Sequence, residues 1–263
     1  MGKNGRLRSN PLDALQLLNS RVDRRHDRRA LSQEEFARLL EAAEVGAPIE
    51  GLVGSDRAML YILAAWTGLR RGEIGSLTLR NFRLNADPPT VTVEAAYSKH
   101  RREDVQVLHL DLVERFKEWL EHRRPMSDRE ILFPINEATC GIDRRTSKMM
   151  RADLSAARRA WIAEPRVAAD DLPPGSQSER SALVEEVKRR EASDFLLYKD
   201  SDGKYADFHA LRHTFITNLC KANVSPKTAQ TLARHSDISL TMNVYTHVDQ
   251  EEQATAINKL PGV

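Results

Sequence analysis

The chain has few cysteines, no long apolar run and almost no net charge. It contains two cysteines among 263 residues, too few and too far apart for a disulfide framework or a spaced pair of metal ligands. Apolar runs such as residues 59–66 stop well short of the ~18 to 20 residues that cross a bilayer. The N-terminus is basic and polar, without the apolar segment of a signal peptide. The sequence therefore predicts a globular, cytoplasmic protein.

The formal net charge of +2 hides an uneven distribution. Residues 1–30 carry eight lysines and arginines against three aspartates. Phosphate contacts come from such local clusters rather than from net charge. This basic arm, or interdomain linker, is therefore a candidate nucleic-acid contact. A solvated leader without fixed structure has the same composition, and the sequence leaves that alternative open.

Helix signals dominate the first part of the body, residues 31–263. Ser32 and Glu35 form a capping-box pattern, which predicts a helix that begins there and ends near residue 44. Residues 58–66 are apolar nearly all round, which is typical of a helix central to the core. Gly68 is expected to end that helix, and a short third helix should follow over residues 70–76.

A small β-hairpin is predicted next. Residues 90–97 and 103–110 have the alternation and the β-branched content of strands, and a basic turn at residues 98–102 joins them. Asp111 is expected to cap a helix over residues 112–120. These two strands would give the chain its only predicted sheet.

Two features mark the next stretch. Asp143 is expected to cap a helix from residue 144 to about 162, whose basic residues include three on one face: Arg144, Lys148 and Arg151. That face either follows a phosphate backbone or is simply solvated. Residues 164–194 break the pattern with prolines and charge, so we expect a surface insertion or a peripheral helix.

Four short motifs carry the residues with chemical potential. They are residues 67–74 (T-G-L-R-R-G-E-I), 208–215 (F-H-A-L-R-H-T-F), 232–236 (L-A-R-H-S) and 243–247 (N-V-Y-T-H). Each places arginine, histidine or tyrosine beside apolar helix positions, so a packed scaffold would hold these groups. Together they supply what is needed to grip a phosphodiester and attack it with a phenol.

Taken singly, the histidine motif is ambiguous. His209 and Arg212 share a helix face that we expect to point away from the core, because an apolar stripe lies elsewhere on the helix, at Leu211, Phe215 and Leu219. His209 and His213 have the spacing of zinc ligands, but Ala210 stands where a zinc protease motif needs its glutamate. We predict no metal site.

The other motifs have plain alternatives too. Arg70 and Arg71 follow a turn glycine, yet they would also make an ordinary surface pair with Glu73 as a local partner. Tyr245 lies among apolar residues and could be a core side chain. The joint occurrence of all four motifs is what raises the functional interpretation above these alternatives.

The four motifs, in this order, resemble the catalytic domain of the tyrosine recombinases, the phage integrase family, over residues 30–258. The resemblance implies a mainly helical α+β fold with a small antiparallel β-sheet on one edge, as in DNA breaking-rejoining enzymes. It also implies a catalytic set, with Glu73 and His213 in support: Arg70, Lys99, His209, Arg212, His235 and Tyr245. Weaker candidates for DNA contact are Arg71, Arg101 and Arg102, with the basic face named above.

That set predicts metal-free phosphoryl transfer without any cofactor or ATP. Two guanidiniums would clamp the charge that builds on the phosphate oxygens. Tyr245 would attack while His209 accepts or orients its proton, and His235 would bind the phosphate. Lys99 would protonate the 5′ oxygen, and a 3′-phosphotyrosyl bond would store the energy for rejoining.

The resemblance also implies partners and leaves rivals open. We expect double-stranded DNA, a homotetramer on two duplexes with a monomer in isolation, and association with the nucleoid. The family's usual N-terminal core-binding domain is not expected within this chain. The alternatives are type IB topoisomerase chemistry and a DNA-binding module that does not cut; a metal-dependent nuclease comes third because clustered acidic ligands are absent from the histidine motifs.

Overall fold

The computed structural model describes residues 26–98, 101–123 and 126–245, without the side chains of Asn243 and Tyr245. Helices account for most of the ordered elements in these residues. They are α1 (Gln33–Val45), α2 (Gly54–Thr67), α3 (Arg71–Ile74), α4 (Leu110–Glu121), α5 (Glu137–Cys140), α6 (Thr146–Asp170), α7 (Gln177–Ala192), α8 (Ala210–Lys221), α9 (Pro226–Leu232) and α10 (Ser239–Tyr245). The strands are β1 (Phe82–Arg83), β2 (Thr90–Val93) and β3 (Asp104–Val107).

Helix α1 begins at the predicted capping box. The hydroxyl of Ser32 accepts a hydrogen bond from the backbone N–H of Glu35 at 3.1 Å. The Glu35 carboxylate accepts one in return from the N–H of Ser32 at 2.9 Å. These reciprocal bonds satisfy two of the donors that a helix start leaves free, so the prediction for this helix is confirmed.

Helix α2 runs through the core, as its apolar composition predicts. Residues 57–65 are buried, and α1, α4 and α8 pack around the helix. Gly68 ends it with a left-handed φ of 61°, and its N–H donates to the carbonyl of Ala64 at 3.0 Å. A side chain at Gly68 would stand 2.5 Å from the ring of Phe215, so glycine also permits the close approach of α8.

A buried ion pair fixes α2 to α6. The guanidinium of Arg57, which is fully buried, donates two hydrogen bonds to the carboxylate of Asp153, each of 2.9 Å. The hydroxyl of Tyr61 donates to the same carboxylate at 2.7 Å. Every oxygen of this buried acid is therefore matched by donors, which is the condition for burying a charge without a large penalty.

The sheet is antiparallel, in the order β1-β2-β3. Thr90 pairs with Val107 and Val93 pairs with Asp104, which confirms the predicted hairpin, although both strands are shorter than predicted. Val91 and Val93 face the core. On β3 the inward position is Gln106, which is buried, so the hairpin brings an amide into the interior.

Two predicted helix caps are wrong. Helix α4 begins at Leu110 with His109 as its cap, whose Nδ1 accepts from the N–H of Asp111 at 3.2 Å. Asp143 does not cap α6 either, because its carboxylate pairs with the guanidinium of Arg71. Asp143, which the local sequence pattern predicts as a helix cap, instead forms an ion pair with an arginine far away in the sequence.

Helix α6 continues through Pro165 to residue 170, whereas the sequence predicts an end near residue 162. A proline cannot donate the hydrogen bond that the carbonyl four residues earlier, that of Trp161, would receive. The guanidinium of Arg190 on α7 donates to that carbonyl instead and lies 4.8 Å from the Trp161 ring centre. The packed α7 therefore compensates for the break. Among the described residues, no helix is long and apolar enough to cross a membrane.

The segment before α1 lies against the residues that lead into α8. The Arg28 guanidinium pairs with Asp207 at 2.9 Å, and the backbone N–H of Leu31 donates to the hydroxyl of Thr214 at 3.0 Å. The rest of the predicted basic arm, residues 1–25, lies outside the described residues. These contacts place the entry of the chain beside the histidine motif.

Candidate active site

The turn after α2 presents Arg70. Its backbone N–H and its guanidinium both donate to the carboxylate of Glu73, each at 2.8 Å. Glu73 is 2% exposed, while the Arg70 side chain keeps 23% of its surface open. The buried acid therefore holds the arginine at its base and leaves part of the guanidinium facing solvent, which is the geometry of an arginine prepared for an anion.

The same carboxylate receives a second arginine, which the sequence analysis did not single out. Arg234, between α9 and α10, donates to Glu73 Oε2 at 3.2 Å and to the carbonyl of Gly68 at 3.2 Å. The only sequence signal for it is its position before His235 in the L-A-R-H-S motif. Glu73 thus lies between two guanidiniums from distant parts of the chain.

Arg212 lies on α8 and is 3% exposed, so the prediction that it points away from the core is wrong. Its guanidinium donates to the carbonyls of Gly68 and Ala233, and it joins the turn after α2 to the end of α9. Burial, and then the positive charges of Arg70 and Arg234, lower the pKa of Arg212 to about 9. It remains charged at neutral pH.

Two histidines lie at the start of α8. His209 precedes the helix and His213 lies one turn later, with ring centres 5.9 Å apart. Burial, followed by the charges of Arg28 and His213, lowers the pKa of His209 to about 4. The pKa of His213 is lowered for the same first reason. His209 is therefore neutral at physiological pH and able to accept a proton.

His235 connects the arginine cluster to α10. Its Nδ1 lies 3.0 Å from the hydroxyl of Thr241, which is fully buried and stands one helical turn before Tyr245. Burial, Arg212 and Arg70 lower the pKa of His235 to about 4. The neutral ring can donate one hydrogen bond to an anion while Thr241 fixes its orientation.

The structure brings together four of the six predicted catalytic residues: Arg70, His209, Arg212 and His235. Their electrostatic coupling shows the proximity, since Arg70 and Arg212 both lower the pKa of His235 and Arg212 lowers that of His209. Lys99 and the side chain of Tyr245 lie outside the described residues. The backbone of Tyr245 closes α10, the helix that Thr241 ties to His235.

A cavity of about 420 Å³ opens beside His235 and Arg234. Cations and polar groups from the hairpin turn, α9 and the following loop line it: Arg102, Lys227, Gln230, Thr231, Arg234, His235 and Ser236. Its walls supply donors and positive charge, which suits an anionic ligand. Among the described residues, no group of three or more histidine, cysteine or acidic side chains is arranged to hold a metal ion.

Two of the predicted DNA contacts are engaged with the protein itself. The guanidinium of Arg71 pairs with Asp143 and donates to the carbonyls of Ile135 and Arg144. Arg144 precedes α6 instead of lying on it, and its Nε donates to the carbonyl of Pro134 at 2.8 Å. Arg71 therefore connects α3 to the segment before α6, and Arg144 holds that segment to Pro134 and Glu50.

The other predicted contacts differ in how open they are. Lys148 pairs with Glu50 at 2.8 Å but stays 58% exposed, and Arg151 stacks over the ring of Tyr198 at 4.6 Å. Arg101 and Arg102 lie in the hairpin turn, and Arg102 lines the cavity while facing Asp104 at 3.5 Å. Their role in DNA binding stays a prediction, as does that of Arg71 and Arg144.

Comparisons with known proteins agree with this architecture. The model of the phage integrase family matches residues 29–252. Tyrosine recombinase XerD of Yersinia pestis is 28% identical over 225 residues, which cover 84% of this chain and 58% of that protein. A XerC-like tyrosine recombinase of Caldanaerobacter subterraneus subsp. tengcongensis is 45% identical over 56 residues, 21% of this chain and 14% of that protein. The chain thus spans little more than half of the first relative.

Two solved structures share the fold. The XerA recombinase has a TM-score of 0.53 at 20% identity, over 90% of this chain and 66% of that one. The Tn1549 transposon integrase, described in complex with transposon right end DNA, has a TM-score of 0.51 at 16% identity, over 98% of this chain and 73% of that one. The predicted fold class, mainly helical with a small antiparallel sheet, is confirmed.

Proposed function

The chain belongs to the phage integrase family, and on that premise we propose that it is a site-specific DNA recombinase. It cuts and rejoins DNA through a covalent 3′-phosphotyrosyl intermediate, without a metal ion or ATP. The observation that carries the proposal is the cluster of Arg70, Arg212 and His235, in which two guanidiniums and a neutral imidazole from separate motifs meet and offer donors to an anion. XerD, by its name a tyrosine recombinase, supports the same reaction class.

Arg70 and Arg212 stabilise the transition state in this proposal. Attack on a phosphodiester concentrates charge on the non-bridging oxygens, and two guanidiniums fixed in advance offer paired donors to those oxygens. Arg70 is anchored by Glu73 and Arg212 by two backbone carbonyls. Because neither has to reorganise when the charge develops, the clamp does the work that a metal ion does in other nucleases.

Tyr245 is the nucleophile. Its Oη forms a bond to phosphorus while the bond from phosphorus to the 5′ oxygen breaks, and the phenol proton passes to His209, which is neutral at the working pH. His235 donates to a phosphate oxygen and supports α10 through Thr241. Lys99 gives its proton to the departing 5′ oxygen. The reverse step, attack by a 5′ hydroxyl, restores the DNA backbone.

Double-stranded DNA is the proposed partner, and the active assembly is a homotetramer on two duplexes, located at the nucleoid. Support for DNA comes from the cation-lined cavity and from the Tn1549 integrase, which is described in complex with DNA. The proposed backbone contacts that remain open to solvent are Arg101, Arg102, Lys148 and Arg151, so binding should weaken steeply as salt rises.

Covalent trapping tests the proposal. The wild-type chain and Tyr245→Phe are incubated in EDTA with nicked suicide DNA, taken from the flanks of the parent gene or from a random pool, and resolved on a denaturing gel. We expect an adduct with the wild type only. An adduct that survives Tyr245→Phe identifies another nucleophile, and cleavage without an adduct that occurs only when EDTA is left out favours a metal-dependent nuclease. Binding without any adduct favours a module that does not cut.

A further inference from the structure

Arg234 is a buried arginine with an unusual backbone. Its φ is 52°, in the left-handed region that glycine and asparagine favour and other residues rarely adopt. Its side chain is nevertheless 5% exposed. A long cationic side chain kept under cover at a strained backbone position persists when the surrounding contacts hold it there. The contacts of the Arg234 side chain therefore indicate its role in the site.

The guanidinium of Arg234 joins two separate parts of the site. One nitrogen, Nη2, donates to Glu73 and to the carbonyl of Gly68, each at 3.2 Å; these residues lie on either side of Arg70. The other, Nη1, lies 3.4 Å from Oε1 of Gln106 on β3. Strand β3 is the return strand of the hairpin whose turn contains Lys99. The side chain of Arg234 therefore links the turn that carries Arg70 to strand β3 of the hairpin.

The contact with Glu73 bears directly on Arg70. Glu73 Oε2 accepts from both Arg234 and the backbone of Arg70, while Oε1 accepts from the Arg70 guanidinium. With Oε2 held by two donors, the carboxylate has one orientation, and Oε1 then sets the direction of the Arg70 guanidinium. Removing Arg234 would leave a buried carboxylate with fewer donors and more freedom to rotate.

We propose that Arg234 is a positioning residue of the cleavage site: it orients Arg70 through Glu73 and holds the hairpin of Lys99 through Gln106. The proposal rests on the proposed function. Arg234 also adds positive charge, since it contributes to lowering the pKa of both Arg212 and His235. A variant without it should therefore change the pH dependence of cleavage as well as its rate.

Arg234→Gly is the informative substitution, because glycine suits the left-handed backbone and only the side chain is lost. Cleavage is measured under single-turnover conditions on two suicide substrates. One has the ordinary 5′ oxygen as leaving group, and the other has sulfur there, whose thiolate departs without being protonated. We expect the rate to fall by about 10- to 100-fold with oxygen and by less with sulfur, while DNA affinity changes little.

Comparing the loss of rate on the oxygen substrate with the loss on the sulfur substrate distinguishes the contact with Glu73 from the contact with Gln106. Misorientation of Arg70 slows both substrates, whereas misplacement of the Lys99 turn slows only the oxygen substrate. Gln106→Ala removes a contact of Arg234 with β3 and leaves its contact with Glu73 in place, so it should slow the oxygen substrate and spare the sulfur one. Arg234→Lys keeps the charge without the fork and should recover only part of the rate. A wild-type rate in Arg234→Gly with oxygen would overturn the proposal.

Asn223→Gly is the matched control. Asn223 has a similar φ of 55° in the turn after α8 and makes no contact with Glu73, so this substitution should leave both rates unchanged. In the pH profile, loss of a neighbouring cation should move the acid limb of Arg234→Gly to higher pH, because His235 then takes up its proton more easily. If the acid side of the pH–rate profile does not move, and the ratio of cleavage rates on the sulfur and oxygen substrates stays at the wild-type value, Arg234 only supports the fold.

Hydrogen exchange keeps this test separate from that of the proposed function. In Arg234→Gly, amides of residues 71–76 and 104–107 should exchange faster than in the wild type, while those of α1 should not change. This result is independent of any DNA reaction. If the wild type forms no adduct, the proposed function fails, and the exchange data alone decide; unchanged exchange at both segments would overturn the positioning role.

Discussion

Replacing Arg212 by lysine should produce a variant whose activity is lost as the pH rises through neutrality. Burial and the charges of Arg70 and Arg234 lower the pKa of the Arg212 guanidinium from 12.5 to about 9. Lysine starts from an ordinary pKa of ~10.4, so the same surroundings lower its pKa into the neutral range. The wild type keeps this charge at pH 8, whereas the variant loses a growing share of its charge as the pH rises.

The magnitude has two parts. At pH 6 the lysine is still charged, but it lacks the fork that donates to the carbonyls of Gly68 and Ala233 and to the phosphate. Loss of one such preorganised donor costs about 10²- to 10³-fold in rate. Above the lowered pKa, each further pH unit removes about another tenfold of the charged form. The gap between variant and wild type should therefore widen between pH 6 and pH 8.5.

Single-turnover adduct formation on suicide DNA, measured from pH 6 to pH 8.5, gives both parts. Arg166→Lys is the control, since Arg166 is 58% exposed on α6 and pairs with Glu191; its profile should follow the wild type. Two parallel profiles for Arg212→Lys and wild type would refute the argument from burial. A rate within threefold of the wild type would remove Arg212 from the clamp.

Two further predictions concern stability. Asp153→Ala leaves the fully buried Arg57 without its counter-ion, which should cost about 3–5 kcal/mol of stability and lower the melting temperature by on the order of 10 °C. The control is Asp128→Ala, at an exposed pair with Arg80, which should change the melting temperature little. Equal shifts in the two variants would contradict the prediction. Because the pKa values of His209 and His235 fall from 6.5 to about 4 on folding, the unfolded chain binds more protons in that window. The contribution of these two histidines to the free energy of unfolding should be fully present above pH 6.5 and should decline as the pH falls towards 4. A urea midpoint that stays constant from pH 7 to pH 5 would contradict this.

Local signals explain which elements the sequence predicts well. The capping box of Ser32 and Glu35, the apolar run before Gly68 and the alternation of the hairpin each depend on neighbours within a few residues. The same locality explains the errors at Asp111 and Asp143. His109 caps α4 in place of Asp111, and the distant Arg71 pairs with Asp143, which therefore does not cap α6. A single sequence does not show such competition.

The site shows the same division. Four motifs identify Arg70, His209, Arg212 and His235 as one group, since residue types at fixed spacing are visible in sequence. The burial of Arg212 and the reach of Arg234 to Glu73 are not visible, because both depend on how α8 and the end of α9 pack against the turn at Gly68. Asp153 did carry a signal: it is the one acid between residues 144 and 162, the range predicted for this basic helix.

The charge balance of the cluster argues for a phosphate ligand in physical terms. Arg70, Arg212 and Arg234 lie around the buried carboxylate of Glu73, and burial, followed by repulsion among these cations, lowers the pKa values of Arg212 and His235. A phosphodiester beside them would supply the counter-charge and raise both pKa values. If binding of the phosphodiester raises the pKa values of Arg212 and His235, then protonation of these groups must in turn strengthen the binding of the phosphodiester. An exposed set of arginines would show little of this coupling, because water and salt would screen it. The enclosure of these guanidiniums therefore makes the site selective for an anion that can enter and contact several of them at once.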